Sequence, residues 1–164
     1  MSERAFLALG SNLGDKQAQL DEAVRRLRAV VEVVRVSRAI ATPALLPPGD
    51  PRPQPDYLNA VVEVSTTLEP FSLLDAVKRI EKDMGRADAT RWAPRLIDID
   101  VLSVGARALD ERGFVLPHPG LHQRRFVLQP LVELAPDWVH PTLKRTARQL
   151  LDALPHEASS AKSP

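Results

Sequence analysis

The sequence has no cysteine in 164 residues, which excludes a disulfide scaffold, a zinc knuckle and a thiol nucleophile. Net charge is nearly absent too, because 22 basic side chains face 21 acidic ones and leave +1. Whole-chain electrostatics therefore do not point to nucleic acid or a membrane surface as a partner. No stretch approaches the ~18 apolar residues of a membrane span. The N-terminus has only a short apolar run and carries Glu3 and Arg4, unlike a signal peptide. The expectation is a soluble, cytoplasmic monomer.

Apolar residues make up 44 % and charged residues 26 %, an ordinary globular balance for a chain long enough to bury its own core. One domain is expected over residues 1–155, followed by a small, polar, frayed tail over 156–164. The bases divide into 17 Arg and 5 Lys. Arg offers a planar fork for phosphate or carboxylate that Lys cannot match, although a high-GC genome favouring Arg codons explains the same bias.

Ala5 to Leu9 predicts a first strand, stopped at Gly10. A helix follows from Asp15, with Leu20, Val24, Leu27 and Val31 on one stripe. Val33 to Ile40 is rich in β-branched residues and predicts a second strand. The segment from Thr42 to Asp56 holds six of the fifteen prolines and reads as a long surface loop. Tyr57 to Thr67 alternates as a strand, with Tyr57 and Asn59 on one face and Leu58, Ala60, Val62 and Val64 on the other. A helix after Pro70, a strand over Ile97 to Val104, a hairpin around Gly113 and helices near Val127–Leu134 and Thr142–Leu154 complete the reading. The order βαββαβ predicts an α/β (α+β) ferredoxin-like sandwich. It implies an antiparallel sheet with its main helices on one face and the other face open, followed by a C-terminal hairpin and helices.

Asp98 and Asp100 stand two apart on a strand, so both carboxylates leave one face while Ile97, Ile99 and Val101 take the other. Two acids side by side repel, and a hard cation such as Mg²⁺ relieves the repulsion and completes its shell with water and phosphate oxygens. The competing reading is a solvated edge strand that uses acids against aggregation. Arg86, Arg91 and Arg95 lie just upstream with Trp92 and Pro94, and acids beside arginines suit phosphoryl transfer. His118 and His122 are spaced as i and i+4, but Pro119 and Gly120 break the helix a zinc pair would need. That segment, with Arg124 and Phe126, suits a polyanion better. Gly10 to Lys16 is no Walker A loop; it reads as a strand-to-helix turn capped by Asn12 or Asp15. Tyr57 beside Asn59 suits a flat heterocycle, or simply a tyrosine at the edge of the core.

Taken in order, Gly10-Ser-Asn-Leu-Gly14, Thr42-Pro43, Asp56-Tyr-Leu-Asn59, Gly85-Arg86, Arg91-Trp-x-Pro-Arg-x-x-Asp-x-Asp100, Pro117-His118, Arg124-x-Phe126 and Leu134-Ala-Pro136 resemble the 6-hydroxymethyl-7,8-dihydropterin pyrophosphokinases of folate biosynthesis. The resemblance implies transfer of the β,γ-pyrophosphoryl group of ATP to the pterin hydroxymethyl oxygen, giving AMP and the pterin diphosphate. It implies two Mg²⁺ ions on Asp98 and Asp100, with Arg86 and Arg95 as catalytic phosphate clamps. The pterin would stack between Tyr57 and Phe126 and be read by Asn59, Thr42, Pro43 and Leu45. ATP would meet Glu81, Arg86, Arg91, Trp92, Arg95, Arg112, His118 and Arg124. Mobile lids would correspond to the proline-rich loop and the Arg86–Trp92 loop. The latter is one residue shorter and less basic than in some members, and the prolines should stiffen the former. Lys78 stands where a glutamine can contact nucleotide. The alternative is a pterin- or nucleotide-binding module of the same fold without turnover.

Overall fold

The computed structural model describes residues 1–43, 56–85 and 97–155. The proline-rich loop with Leu45, the arginine-rich loop with Arg86, Arg91, Trp92 and Arg95, and the terminal tail fall outside the described residues. No helix among the described residues is long and apolar enough to cross a membrane.

Strands β1 (Glu3–Ser11), β2 (Glu32–Val36), β3 (Ile40–Thr42), β4 (Tyr57–Thr66) and β5 (Asp98–Val104) form one antiparallel sheet in the order β2-β4-β1-β5, with β3 continuing the β2 side of β4. Helix α1 (Lys16–Leu27) connects β1 to β2, and α2 (Pro70–Met84) connects β4 to β5. This is the split βαβ arrangement that the element order predicts. Asp15 caps α1 by accepting from the Ala18 N–H at 3.1 Å, which settles the two capping candidates. Val31 lies beyond the end of α1 yet stays buried.

The expected second strand is divided. Ser37 exchanges bonds with Val61, donating its N–H to the carbonyl and accepting the Val61 N–H on Oγ, both at 2.9 Å. A side chain thus replaces one backbone partner, and β2 and β3 are separated there. Helices α1 and α2 bury Leu20, Leu27, Leu73, Val77 and Ile80 against Leu7, Leu9, Val62 and Val64 of the sheet. Each such fully buried side chain contributes about 1.5–3 kcal/mol.

The second sheet face is not open along its whole length. The hairpin β6–β7 (Leu109–Glu111, Phe114–Leu116) leads to a short 3₁₀ turn and then α3 (Arg125–Leu134) and α4 (Ala147–Asp152). Leu128, Leu131 and Trp138 cover Phe6, Val61 and Leu102 and make a second, smaller core. The apolar residues on the outer face of β1, β4 and β5 required that cover. The last helix begins later than its periodicity suggests, because Thr146 and Gln149 form a reciprocal capping box there. Upstream of it, His140 Nδ1 accepts the N–H groups of Thr142 and Leu143 and shapes a turn instead.

Candidate active site

Where the second core stops, the sheet carries small residues. Gly10 sits in register between Asn59 of β4 and Asp98 of β5, and Ala8 sits between Val61 and Asp100. At about 4.8 Å per strand, the Asn59 and Asp98 backbones stand roughly 9–10 Å apart across a glycine. That gap is the floor of a cleft of about 280 Å³, lined by Gly10, Thr42, Pro43, Tyr57, Asn59, Asp98, Asp100, His118, Arg124 and Phe126 among others. The Asp pair and the Tyr57–Asn59 pair, read from alternation on two strands, thus meet on one face. Thr42 and Pro43 join them because β3 pairs Thr42 with Tyr57.

Asn59 is buried, and its Nδ2 donates to Thr42 Oγ1 at 2.7 Å. This bond fixes the carboxamide with Oδ1 toward Gly10, where any Cβ would stand only 3.0 Å away. Burial, aided by the Asp98 charge, raises the Tyr57 phenol above its ordinary pKa and keeps it neutral. From the opposite wall, the Arg124 guanidinium lies 6.0 Å from the Phe126 ring centre.

His118 is half-buried. Burial lowers its pKa below 6.5, Asp100 opposes the shift, and Arg124 and Lys78 add to it. Its Nδ1 accepts the Gly120 N–H at 3.1 Å, so the neutral ring carries its proton on Nε2 and is a donor there. The backbone N–H of His118 donates to the Leu102 carbonyl at 2.8 Å, hanging this loop on β5.

A second cleft of about 180 Å³ shares Asp100 and His118 with the first and is otherwise lined by Leu74, Lys78, Val101, Gly113, Phe114, Val115 and Pro119. Asp100 therefore stands at a junction of two cavities, with Asp98 lining the larger one. Leu74, Val101 and Val115 carry no polar signature in the sequence; only their place in the lining of this cleft beside Asp100 reveals them. Glu81 lines neither cleft, and its carboxylate reaches the Ile99 backbone instead. Arg112 is also absent from both linings: at the hairpin tip, with φ at 50°, its guanidinium lies 4.4 Å from the Phe71 ring centre. His122 packs 6.2 Å from His140 rather than joining His118. Among the described residues no three metal-binding acidic or imidazole side chains converge.

The family model for 7,8-dihydro-6-hydroxymethylpterin-pyrophosphokinase (HPPK) matches residues 6–136. The chain belongs to this family. A 2-amino-4-hydroxy-6-hydroxymethyldihydropteridine pyrophosphokinase from Methylorubrum extorquens is 49 % identical over 139 residues, 83 % of this chain and 85 % of that one. The enzyme of the same name from Pseudomonas aeruginosa is 38 % identical over 157 residues, 96 % and 95 % of the two chains. The folic acid synthesis protein fol1 of Schizosaccharomyces pombe is 36 % identical over 155 residues, which cover 93 % of this chain but 21 % of fol1. A crystal structure of an HPPK-DHPS protein in complex with substrates superposes with a TM-score of 0.73 at 14 % identity. That match covers 99 % of this chain and 45 % of the two-part protein, and shows that the HPPK fold is shared.

Proposed function

We infer that the larger cleft takes the pterin and the smaller one the nucleotide of a pyrophosphokinase reaction. The chain transfers a pyrophosphoryl group to hydroxymethyldihydropterin in folate biosynthesis. In the reaction the pterin hydroxyl oxygen bonds to the β-phosphorus of ATP, the bond from that phosphorus to the α-phosphate oxygen breaks, and AMP leaves as the hydroxyl loses its proton. The observation that carries the assignment is the row Asn59–Gly10–Asp98: an amide, a bare strand and a carboxylate, flanked by Tyr57 and with Phe126 in the same cleft.

A flat ring over Gly10 stacks between Tyr57 and Phe126, each such contact adding about 0.5–1.5 kcal/mol beyond burial. Asn59, oriented by Thr42, reads its donor and acceptor edge. The hydroxymethyl group then points toward Asp98 and Asp100. Those two side chains fit Mg²⁺: both are hard oxygen donors, both are half-exposed on one strand face, and no third protein ligand joins them among the described residues. A pair of carboxylates with the remaining positions left to water and phosphate oxygens is the usual protein contribution to Mg²⁺. Two such ions, once bound, would neutralise the triphosphate and acidify the attacking hydroxyl. His118 at the junction, neutral and donating from Nε2, and Arg124 from the wall of the larger cleft offer hydrogen bonds to phosphate oxygens. Arg86, Arg91, Trp92 and Arg95 belong to this proposal as the phosphate clamp and its loop, on the sequence pattern alone.

The test is ³¹P NMR of the protein with Mg²⁺, ATP and 6-hydroxymethyl-7,8-dihydropterin. AMP and the pterin diphosphate are expected to appear together. ADP would refute the transfer of two phosphates, and binding of both substrates without product would mark a module that has lost turnover. Omitting Mg²⁺ is expected to abolish product formation.

A further inference from the structure

The strand that carries Asp98 and Asp100 lies at the margin of the sheet. In the order β2-β4-β1-β5 no strand among the described residues pairs with the outer side of β5. An edge of this kind presents open N–H and C=O groups, and its register and pleat are held from one side only. Here the residue between the two aspartates is held from outside by side chains of α2. Glu81 Oε2 accepts the Ile99 N–H at 2.5 Å. Lys78 Nζ donates to the Ile99 carbonyl at 3.3 Å. The two side chains also pair with one another at 3.2 Å, three residues apart on the same helix. The Ile99 side chain is fully buried on the opposite side from the acids.

The geometry points to Glu81 and Lys78 as positioning residues that hold the Asp98–Ile99–Asp100 peptide groups, and so set the spacing and direction of the two carboxylates. Glu81 carries the larger share. Its side chain is 8 % exposed against 46 % for Lys78, and a charged acceptor on a backbone N–H away from water makes a stronger bond than a half-exposed ammonium on a carbonyl. Glu81 would then reach the nucleotide reaction through the strand rather than by touching substrate. Lys78, which also lines the smaller cleft, would steady the same peptide from its other side. Groups that orient metal-binding side chains in this manner typically change metal affinity or activity about 10–100-fold when removed.

The metal half of this proposal rests on the assignment of Asp98 and Asp100 above, so two readouts are needed. The first, amide hydrogen exchange at Ile99 in the substrate-free protein, is independent of any function. The second is the affinity for Mn²⁺ in the presence of a non-hydrolysable ATP analogue, followed by electron paramagnetic resonance. Glu81→Ala is expected to speed Ile99 exchange at least about tenfold, while leaving amides of the central β1 strand unaffected, and to weaken Mn²⁺ binding about 10–100-fold. Glu81→Gln keeps an acceptor for the N–H and is expected to restore protection and most of the affinity. It also serves where the alanine variant is too unstable to study. Lys78→Met keeps the stem and is expected to cost about two- to fivefold, the scale of a half-exposed ion pair. Unchanged Ile99 exchange in Glu81→Ala, or faster exchange with unchanged Mn²⁺ affinity, would overturn the positioning role alone. Wild-type protein that takes up no Mn²⁺ with the analogue would overturn the metal assignment and the proposal together.

Discussion

Replacing Gly10 by alanine tests the floor of the larger cleft with one methyl group. Gly10 is not among the glycines with left-handed dihedrals, so alanine meets no backbone penalty and gains about 0.4–1 kcal/mol from the stiffer unfolded chain. Against this, its Cβ would stand 3.0 Å from Asn59 Oδ1 and 3.7 Å from Tyr57 Cδ1. Asn59 must shift by a few tenths of an ångström, straining its 2.7 Å bond to Thr42, at a cost of about 1–3 kcal/mol for overpacking. The net is a loss of up to about 2.6 kcal/mol, and the melting temperature is expected to fall by up to several degrees. Pterin binding has no such compensation: it loses a well-aligned neutral hydrogen bond, about 0.5–1.5 kcal/mol, or a two- to tenfold rise in Kd. Titration of 6-hydroxymethylpterin by calorimetry, with an ATP analogue present, reads this directly. Gly14→Ala is the control, since that glycine has φ of 62° with open space around it and should cost stability without touching affinity. A Gly10→Ala protein of unchanged melting temperature and unchanged pterin affinity would refute the placement of the ring over this strand.

Ser103 Oγ is buried without a hydrogen-bond partner among the described residues; Ser103→Ala should therefore raise stability by about 1 kcal/mol, a few degrees in a thermal melt. Asp100→Asn should abolish turnover in the ³¹P assay while the melting temperature stays near that of the wild type, and a variant retaining most of its kcat would remove Asp100 from the reaction. His140 is buried, and its pKa lies below 6.5 because of burial and the neighbouring His122. The unfolded chain therefore binds protons more readily than the folded one, and His140 stability is full above pH 6.5 and is lost as pH falls through the folded value. A urea-melt series from pH 7.5 downward should show this loss, smaller in His140→Asn, whose side-chain oxygen can still accept from Thr142 and Leu143.

The sheet and its two main helices were legible because each obeys one local rule: period two in β4 and β5, a stripe at helical spacing in α1 and α2, a capping aspartate at position 15. The pairing of Tyr57 with Asn59, and of Asp98 with Asp100, followed from the same alternation. Their meeting did not, since cross-strand register depends on contacts far apart in the chain and is invisible in any one segment. The cover over Phe6, Val61 and Leu102 was missed for that reason, as it comes from α3 and Trp138, more than 60 residues after Val61. Glu81 and Arg112 show a further limit. The family resemblance implies that both meet the nucleotide, but a side chain's partner is decided by which neighbour lies within reach, here a strand amide and a phenylalanine ring.

The smaller core has a consequence for how this chain tolerates change. Tyr57 and Asn59 belong to a strand fixed by the larger core, whereas Arg124, Phe126 and Val127 stand at the start of α3, which the smaller core and polar links from Arg35 and Arg38 to its far end hold against the sheet. The two walls of the cleft thus have separate foundations of unequal depth. Mutational drift beneath the shallower one, at Trp138 or Leu131, alters the gap between the walls while the main sheet remains folded. Such substitutions should emerge in selection as losses of substrate affinity before they register as losses of fold.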